Sequence, residues 1–389
     1  MDTSDTPSAP ELTDLQKVIL PTGVPPGGIC VRDAGRMHRR LTGEFGNCAH
    51  FHVMSRVAGG AMLFGDEEKE AFRLLMWRMA KFSGVEILTY CVMGNHFHLL
   101  IRIPQREAFL GRFVCDTPGG AGERRLLGHL KLLYSKAYLL RLESEIADLR
   151  RQGREAEVQR VLDRYRDRFC DLSLFVKELK ERFSRWFNKR HARRGTLWME
   201  RFRSVIVEGG ECLRTVAAYI DLNPVRAGLV AAPEEYRWCG YTEALGGSQS
   251  MRRGLCRAIG WPLGGWSKRG GRNSSGAEAY RCLLYADGVE ELADAGGGGV
   301  VVRRRGISAE AAREVIDAGG KLGHFDLVGC RVRWFTEGAA LGSEGFLRRV
   351  LGEAGDGVEL RALPVVGREK AGGGSGWFSL CRLKKAGVG

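Results

Sequence analysis

Residues 92–103 carry the pattern that most restricts the fold of this chain. His96 and His98 alternate with apolar residues there, and alternate side chains of an extended strand point to opposite faces. The two imidazoles therefore project from one face, about 6 to 7 Å apart along the strand. The pattern predicts a strand with one apolar face, buried by helices, and one face where two histidines can share a cation. Two polar residues on a solvated face are the alternative that this stretch alone leaves open.

The preceding segments place this strand in a defined order of elements. Alternation over residues 50–57 predicts a first strand, helical spacing of apolar residues over 66–83 predicts a helix that Gly84 ends, and residues 85–92 are β-rich. One strand, one helix and two successive strands open a split βαβ unit. We therefore predict an α/β (α+β) fold with a ferredoxin-like core, an antiparallel sheet and helices on one face.

Later segments supply the second half of that unit. Residues 173–187 predict an amphipathic helix, residues 202–207 a strand and residues 211–222 a further helix. Asn223 is then expected as the N-cap, and Pro224 as the first residue, of a short helix.

An insertion separates the two halves. Residues 105–171 are charged and helical in pattern, and two helical runs, residues 126–151 and 155–169, are separated by Gly153. This pattern predicts an inserted helical hairpin. A solvated helical excursion without chemistry is the favoured interpretation of this insertion.

The C-terminal part of the chain is Gly-rich. We expect it to form a small helical module on flexible joints, with helices near residues 308–318 and 343–351. The predicted domains are a mobile leader, the core and the C-terminal extension, over residues 1–45, 46–246 and 247–389.

The charge of the chain indicates a polyanionic partner. The 389 residues carry a formal net charge of +14, an excess that is typical of nucleic-acid binding. Half of it lies in residues 177–203, where ten Lys or Arg stand against three Glu. Aromatic residues are interleaved with these cations, a combination that suits single strands with exposed bases; a solvated basic face is the alternative. The aromatic residues are Trp186, Phe187, Trp198 and Phe202.

Composition excludes several other classes of protein. No apolar run approaches the roughly 20 residues that span a bilayer, and the acidic, Pro-containing start is unlike a signal peptide. The eleven cysteines include no Cys-x-x-Cys pair, which argues against a zinc ribbon and a disulfide framework and for a reducing compartment. No Gly-rich phosphate loop with a following Lys-Ser/Thr is evident, so no nucleotide cofactor is indicated. We expect a cytoplasmic, nucleoid-associated protein with no membrane partner.

Tyr219 and Asn223, together with the two histidines, form a set of residues that could cleave a phosphodiester. They are four residues apart and can share one helical face, although Pro224 biases Asn223 away from helical backbone angles. Cleavage of a phosphodiester needs positive charge on a non-bridging oxygen and a nucleophile, which a divalent ion and a tyrosine hydroxyl can supply. No carboxylate cluster typical of a two-metal nuclease is evident.

Four motifs in this order closely resemble the HUH single-tyrosine transposases, and most of all the branch of REP-associated tyrosine transposases, which are IS200-like. The resemblance covers about residues 50–244, and short runs near residues 335–338 and 341–346 resemble a tail found on some members. The insertion is longer than the connection expected for this family. The motifs are Met-Gly-Asn-His-Phe-His-Leu-Leu at residues 93–100, Arg-Arg-Gly-Thr-Leu-Trp at 193–198, Arg-Phe-Arg-Ser-Val at 201–205 and Tyr-Ile-Asp-Leu-Asn-Pro-Val-Arg-Ala-Gly-Leu-Val at 219–230.

The resemblance implies a reaction and a role for each residue of the set. His96, His98 and Asn223 would hold Mg²⁺ or Mn²⁺, and Tyr219 would attack a phosphate of single-stranded DNA beside a hairpin. The products would be a 5′-phosphotyrosine link and a free 3′-hydroxyl, and religation would reverse the step. We expect a monomer or homodimer with single-stranded or hairpin DNA as partner. The residues expected to bind DNA are Lys189, Arg190, Arg193, Arg194, Trp198, Arg201, Arg203 and Arg226.

Two other functions remain open at this point. One is a domesticated protein that binds hairpin DNA without cutting it, and the other is a relaxase-like HUH nickase. All the residues that the cleavage reaction needs are present, which favours the transposase over a protein that only binds DNA. By resemblance, the Asn-Pro-Val-Arg-Ala-Gly run favours the transposase over the nickase.

The sequence holds a second His-x-His pair, His50 and His52, with the same spacing as His96 and His98. Both pairs are expected on strands of one sheet, so geometry alone does not choose between them. Only the second pair matches the motif of the family, with Asn95 before it. Of the first pair, only His52 has a familiar place in the family.

Overall fold

The computed structural model describes residues 48–114, 117–266, 275–294, 300–319, 338–351, 361–362 and 377–381. The leader predicted over residues 1–45 lies outside this range. The described chain divides into two compact units: residues 70–84 and 106–197 form the first, and residues 48–69, 85–105 and those from 198 onward form the second. Among the described residues, no helix combines the length and apolar character needed to cross a membrane.

The second unit is built on an antiparallel four-stranded core that continues into a larger sheet. Strand β1 is Cys48–Arg56, β2 is Glu86–Val92, β3 is His96–Pro104 and β4 is Arg203–Val207. Their spatial order is β2-β3-β1-β4, with antiparallel pairing throughout. A helix, α1 (Asp66–Ser83), connects β1 to β2 in the chain. This is the order of a split βαβ, ferredoxin-like unit, which confirms the predicted fold class.

The register of these strands decides which residues share a face. Met54 of β1 and Cys91 of β2 both lie opposite His98, while His52 and Thr89 both lie opposite Leu100. Directly opposed residues point to the same side of a sheet. The face that carries the histidines is therefore common to β1, β2 and β3.

Helices cover this histidine-bearing face. Helix α7 (Glu211–Asp221) and the short α8 (Asn223–Arg226) are followed by α9 (Gly240–Leu245) and α10 (Gln249–Ala258). The Asp221 side chain accepts hydrogen bonds from Thr89 on this face, and a Cβ on Gly240 would collide with the same threonine. The sequence pattern predicts burial of the opposite, apolar face; the burial of the histidine face by α7 and α9 is a finding of the tertiary structure.

Gly254 allows α10 to approach β2 closely, and its replacement tests that packing. A Cβ at Gly254 would lie 2.8 Å from the carbonyl oxygen of Leu88 and nearer still to that of Ile87. Backbone atoms cannot move aside easily, so we expect Gly254→Ala to destabilise the protein by about 1–3 kcal/mol. Thermal unfolding followed by circular dichroism measures the change.

Gly128 provides the matched control for this prediction. It is also helical, in α3 (Ala121–Leu130), but a Cβ there would meet nothing within 4 Å. Gly128→Ala is therefore expected to be neutral or to stabilise by up to about 1 kcal/mol. Equal losses of stability in both variants would contradict the close approach at Gly254.

The C-terminal extension contains strands as well as the predicted helices. Helices α12 (Ala309–Gly319) and α13 (Glu344–Leu351) confirm two predicted elements. Strand β7 (Gly338–Ser343) pairs in parallel with β4, and Glu208 accepts hydrogen bonds from the backbone N–H and the hydroxyl of Ser343. The strands were not predicted: β7 completes the hydrogen bonds of the edge of β4, which no local pattern reveals.

The remaining elements of the extension lie around these. Strand β9 (Trp377–Cys381) pairs with β7 and with β8 (Arg361–Ala362), so that the sheet contains seven strands in the order β2-β3-β1-β4-β7-β9-β8. The other bounds are Gly276–Gly288 for α11, Glu291–Asp294 for β5 and Val300–Arg304 for β6.

The first unit is helical throughout its described part. After α2 (Arg106–Leu110) and α3, it contains α4 (Lys136–Arg151), α5 (Glu155–Arg166) and α6 (Leu172–Arg190). Helices α4 and α5 form the predicted hairpin around Gly153, whose φ is +70°.

One helix predicted for this unit is in fact two. The run over residues 126–151 is broken after Leu130, and Ser135 begins α4 as its N-cap by accepting a hydrogen bond from the N–H of Tyr138, 3.2 Å away. A side-chain oxygen that satisfies a free N–H of the first turn favours a new helix start at that point. Apolar periodicity across the break hides it in the sequence.

Candidate active site

Three aromatic side chains meet where α7 covers the histidine face of the sheet. The ring of Tyr219 lies edge-on to His52 and to His98, with centroid distances of 6.0 and 5.8 Å. His96 lies beside His98 at 5.0 Å. His52 and His98 are each 2% exposed and Tyr219 is 4% exposed. The structure thus brings together the predicted nucleophile and both predicted histidine ligands.

The ring of His96 is oriented by the residue before it. Asn95 donates from Nδ2 to the carbonyl oxygen of Gly60 at 2.8 Å, which directs its Oδ1 toward Nδ1 of His96 at 2.6 Å. An amide oxygen only accepts, so Nδ1 of His96 carries the proton. The lone pair of this neutral imidazole is therefore on Nε2.

The ring of His98 is held at the same nitrogen. Its Nδ1 is 2.9 Å from Nε2 of His52, and the two rings stack with centroids 5.1 Å apart and an interplanar angle of 20°. Both predicted ligands are thus engaged through Nδ1, which is the usual arrangement when Nε2 binds a metal.

Burial keeps both histidines neutral near pH 7. It lowers the pKa of His96 to about 4, with a further contribution from the charge of Arg56. The pKa of His98 lies well below its ordinary value of 6.5, because of burial first and then because of His52, His96 and Arg56. Only a neutral imidazole can coordinate a metal, so the electrostatics suit the predicted role.

Tyr219 lies between these histidines and a cation. The guanidinium of Arg226 lies over its ring, 5.4 Å from the centroid. Burial raises the pKa of Tyr219, while the charge of Arg226 and a hydrogen bond from Asn223 oppose the rise. Arg226 was predicted only as one of several DNA-binding residues. The structure places it directly beside the predicted nucleophile.

Asn223 is next to Tyr219, but it does not cap a helix as predicted. It is itself the first residue of α8, and its Nδ2 donates to the carbonyl oxygen of Tyr219 at 2.8 Å. The side chain therefore satisfies the C-terminal end of α7 instead of the N-terminal end of α8, because the two helices follow one another almost without a break. Its Oδ1 is the side-chain atom with ligand character.

A buried carboxylate fixes the helix that carries Tyr219. Asp221 is fully buried and accepts hydrogen bonds from the hydroxyls of Thr89 on β2 and Tyr280 on α11, and from the N–H of Tyr241 on α9. These bonds tie α7 to three other elements. Burial is the main cause that raises the pKa of Asp221 to about 6, and its hydrogen bonds oppose the rise.

The chemistry of these side chains suits a divalent cation. Nε2 of His96, Nε2 of His98 and Oδ1 of Asn223 are the donor atoms that their other hydrogen bonds leave for a ligand role. Across the described residues, no group of three or more His, Cys, Asp or Glu side chains is placed to hold a metal. A protein site here would therefore use two imidazoles and an amide, a set that accepts several divalent ions.

The residues predicted to bind DNA fall into both units. Lys189, Arg190 and Arg194 of the first unit are exposed and Arg193 is half-buried, while Arg201 and Arg203 of the second unit are exposed. Arg203 also pairs with Glu200 at 2.9 Å.

The structure contradicts the predicted role of Trp198 as a surface for bases. It is 8% exposed and packs edge-on against Phe64 and Phe97, with centroid distances of 5.8 and 5.5 Å. Trp186 and Phe187 are buried as well. These aromatics belong to the core, because alternation with cations along the chain does not reveal which side of each element faces solvent.

Sequence reasoning missed His52 and Arg56 as members of the site. Both lie on β1 an even number of residues from His50. The period of two of a strand places them on one face with it, and this was the signal that could have identified them. His50 itself belongs elsewhere: it lies opposite Arg102 and Val207, and burial together with the charges of Arg102 and Arg257 lowers its pKa to about 4.

Comparison with known proteins gives one family. Residues 47–110, which include β1, β2 and β3, match the family model described as "Transposase IS200 like", in agreement with the predicted family. A search of curated protein sequences finds no match. A solved structure described as "Structure of the REP associates tyrosine transposase bound to a REP hairpin" is similar at 13% identity and a TM-score of 0.32, covering 57% of this chain and 86% of that chain.

Proposed function

From the match of residues 47–110 to the IS200-like transposase family model, we propose that the protein is a divalent-metal-dependent transposase. It cleaves and rejoins single-stranded DNA next to hairpins through a 5′-phosphotyrosine intermediate. Tyr219 is the nucleophile, and His96, His98 and Asn223 hold the cation.

One observation carries this proposal. Tyr219 comes from α7, which lies more than 100 residues after β3 in the chain, yet its ring lies 5.8 Å from that of His98. A hydroxyl, two neutral imidazoles and the guanidinium of Arg226 thus converge on one small region. A nucleophile beside a site for positive charge is what phosphodiester cleavage needs.

The reaction balances without a nucleotide cofactor. The oxygen of Tyr219 attacks the phosphorus and loses its proton, and the bond from phosphorus to the 3′ oxygen breaks to leave a free 3′-hydroxyl. The phosphotyrosine ester retains the energy of the broken bond, so attack by a 3′-hydroxyl reverses the step. When bound, the cation neutralises charge on a non-bridging oxygen of the phosphate.

Arg226 assists the attack by Tyr219. Its guanidinium lies over the ring of Tyr219 and favours the phenolate form of that residue. The same charge favours the phosphate that becomes attached to the tyrosine oxygen. Asp221 holds α7 in position through its three hydrogen-bonded neighbours.

A single incubation tests this function. Labelled single-stranded DNA that contains a hairpin is mixed with the protein and Mn²⁺ and resolved on a denaturing gel. A labelled band at the mass of a protein–DNA adduct is the expected result. Retained binding without the adduct would indicate a DNA-binding protein that does not cleave, and adduct formation that requires no hairpin would favour a relaxase-like nickase.

Two basic residues of the first unit, the half-buried Arg193 and the exposed Arg194, offer a prediction about DNA affinity. We expect the double variant Arg193→Gln/Arg194→Gln to bind DNA more weakly and with a smaller dependence on salt. Each lost phosphate contact on a single strand lowers the salt slope by about 0.7, so two contacts lower it by about 1.4. Fluorescence anisotropy at several salt concentrations measures both quantities.

A matched control removes the same charge elsewhere in that unit. Lys136 and Arg141 are exposed residues of α4, and Lys136→Gln/Arg141→Gln should leave the salt slope unchanged. If both double variants behave alike, only the overall charge matters and the segment around Arg193 has no specific role.

A further inference from the structure

His52 is a buried residue in polar contact with the predicted metal ligand His98. Its Nε2 lies 2.9 Å from Nδ1 of His98, and the two rings are stacked. It is also edge-on to the ring of Tyr219 at 6.0 Å. In the register of the sheet it lies opposite Leu100, one diagonal step from His98.

We propose that His52 is a positioning residue that holds His98 in the tautomer and orientation needed to bind a divalent cation through Nε2. The inference rests on the proposed function, because it assumes that His98 is a ligand. His52 itself is not a ligand in this assignment, since its Nε2 is directed at Nδ1 of His98.

The hydrogen-bond chemistry allows two arrangements of the shared proton. If Nδ1 of His98 donates to Nε2 of His52, the lone pair of His98 lies on Nε2 and is directed to a cation. If His52 donates instead, a neutral His98 carries its proton on Nε2 and cannot bind there. Only the first arrangement is compatible with a ligand role, and it requires an acceptor at the position of Nε2 of His52.

His96 supports this reading independently. Its Nδ1 meets the Oδ1 of Asn95, and the bond from Asn95 to Gly60 fixes that amide so that only an acceptor faces the ring. In the first arrangement both predicted ligands meet an acceptor at Nδ1, supplied by an amide in one case and by His52 in the other. A partner of this kind typically changes metal affinity by 10- to 100-fold when it is removed.

Two variants separate an acceptor role from simple packing. His52→Phe keeps an aromatic ring in the stack but removes the acceptor. His52→Gln gives up the ring but can place an amide oxygen near the position of Nε2. His50→Phe is the control, because His50 is on the same strand and face but lies opposite Arg102, outside the site.

The readout is Mn²⁺ binding to the full chain without DNA, measured from the free-ion signal in electron paramagnetic resonance. We expect His52→Phe to weaken binding by about 10- to 100-fold, His52→Gln to stay near the wild type, and His50→Phe to have no effect. Unchanged affinity in His52→Phe, with folding verified by circular dichroism, would overturn the inference. If the wild type itself binds no Mn²⁺, the proposed metal-dependent function fails as well, so the two failures are distinguishable.

A second measurement needs neither metal nor a variant of His52. Long-range proton–nitrogen correlation spectra of the wild-type protein report which nitrogen of each histidine is protonated, and His98→Gln identifies the signals of His98. A proton on Nδ1 of His98 supports the inference. A proton on Nε2 contradicts it.

Discussion

We expect the Tyr219→Phe variant to form no covalent adduct with hairpin DNA, while its affinity for that DNA stays within a few-fold of the wild type. Only the hydroxyl is lost, and no other atom of a phenylalanine can attack phosphorus. The contacts with His52, His98 and Arg226 involve the ring, which remains. The loss of one buried hydroxyl is expected to change stability by about 1 kcal/mol. Gel analysis of the adduct and anisotropy of DNA binding measure the two effects separately.

Tyr285→Phe is the matched control for this substitution. Tyr285 is in the same unit and donates a hydrogen bond to Glu234 at 2.7 Å, so the variant also loses one hydroxyl and one bond. Adduct formation should persist in it. An undiminished adduct in Tyr219→Phe would assign the nucleophile to another residue.

The second large effect is expected at the histidines of β3. His96→Ala and His98→Ala should each abolish Mn²⁺-dependent cleavage with the fold intact, since each removes one of the two proposed imidazole ligands. Added Mn²⁺ should restore at most part of the activity. Chelation of divalent ions should likewise stop the wild-type enzyme, and Mn²⁺ should restart it. Cleavage of labelled hairpin DNA across a range of Mn²⁺ concentrations gives the comparison.

His50→Ala serves as the internal control for this experiment. It truncates a histidine on the same face of the sheet, but one whose neighbours are Arg102 and Arg257 and not the site. Cleavage should be close to normal. The reverse pattern, with His50 essential and His96 dispensable, would show that the cation lies at the other end of the sheet.

Much of the core could be predicted because its strands and helices show a regular spacing of apolar residues over short stretches of sequence. Alternation over β1 and β3, and helical spacing over α1, α6 and α7, appear in windows of a few residues. The errors fell where a side chain outside the pattern decided the outcome. Ser135 starts a new helix within an apparently continuous one, and Asn223 bonds back to α7 instead of capping α8.

The candidate site was predictable only in part, for a related reason. The spacing of His96 and His98 places both on one face, and resemblance to a family adds Tyr219 and Asn223. Neither source identifies His52 as the partner of His98, because that contact depends on how β1 is aligned against β3. The burial of Trp198 against Phe64 and Phe97 likewise depends on packing between segments far apart in the chain.

The sequence by itself therefore determined most elements of the core, the faces of its strands and the types of residue available for chemistry, because these follow from short-range spacing. The tertiary structure alone decided that His52 and His98 meet each other and Tyr219, while His50 does not join them. It also decided that β7 extends the sheet beside β4. The physical reason is that a period of two fixes which face of the sheet a residue occupies, while the residue that lies opposite it depends on the pairing of strands distant in sequence.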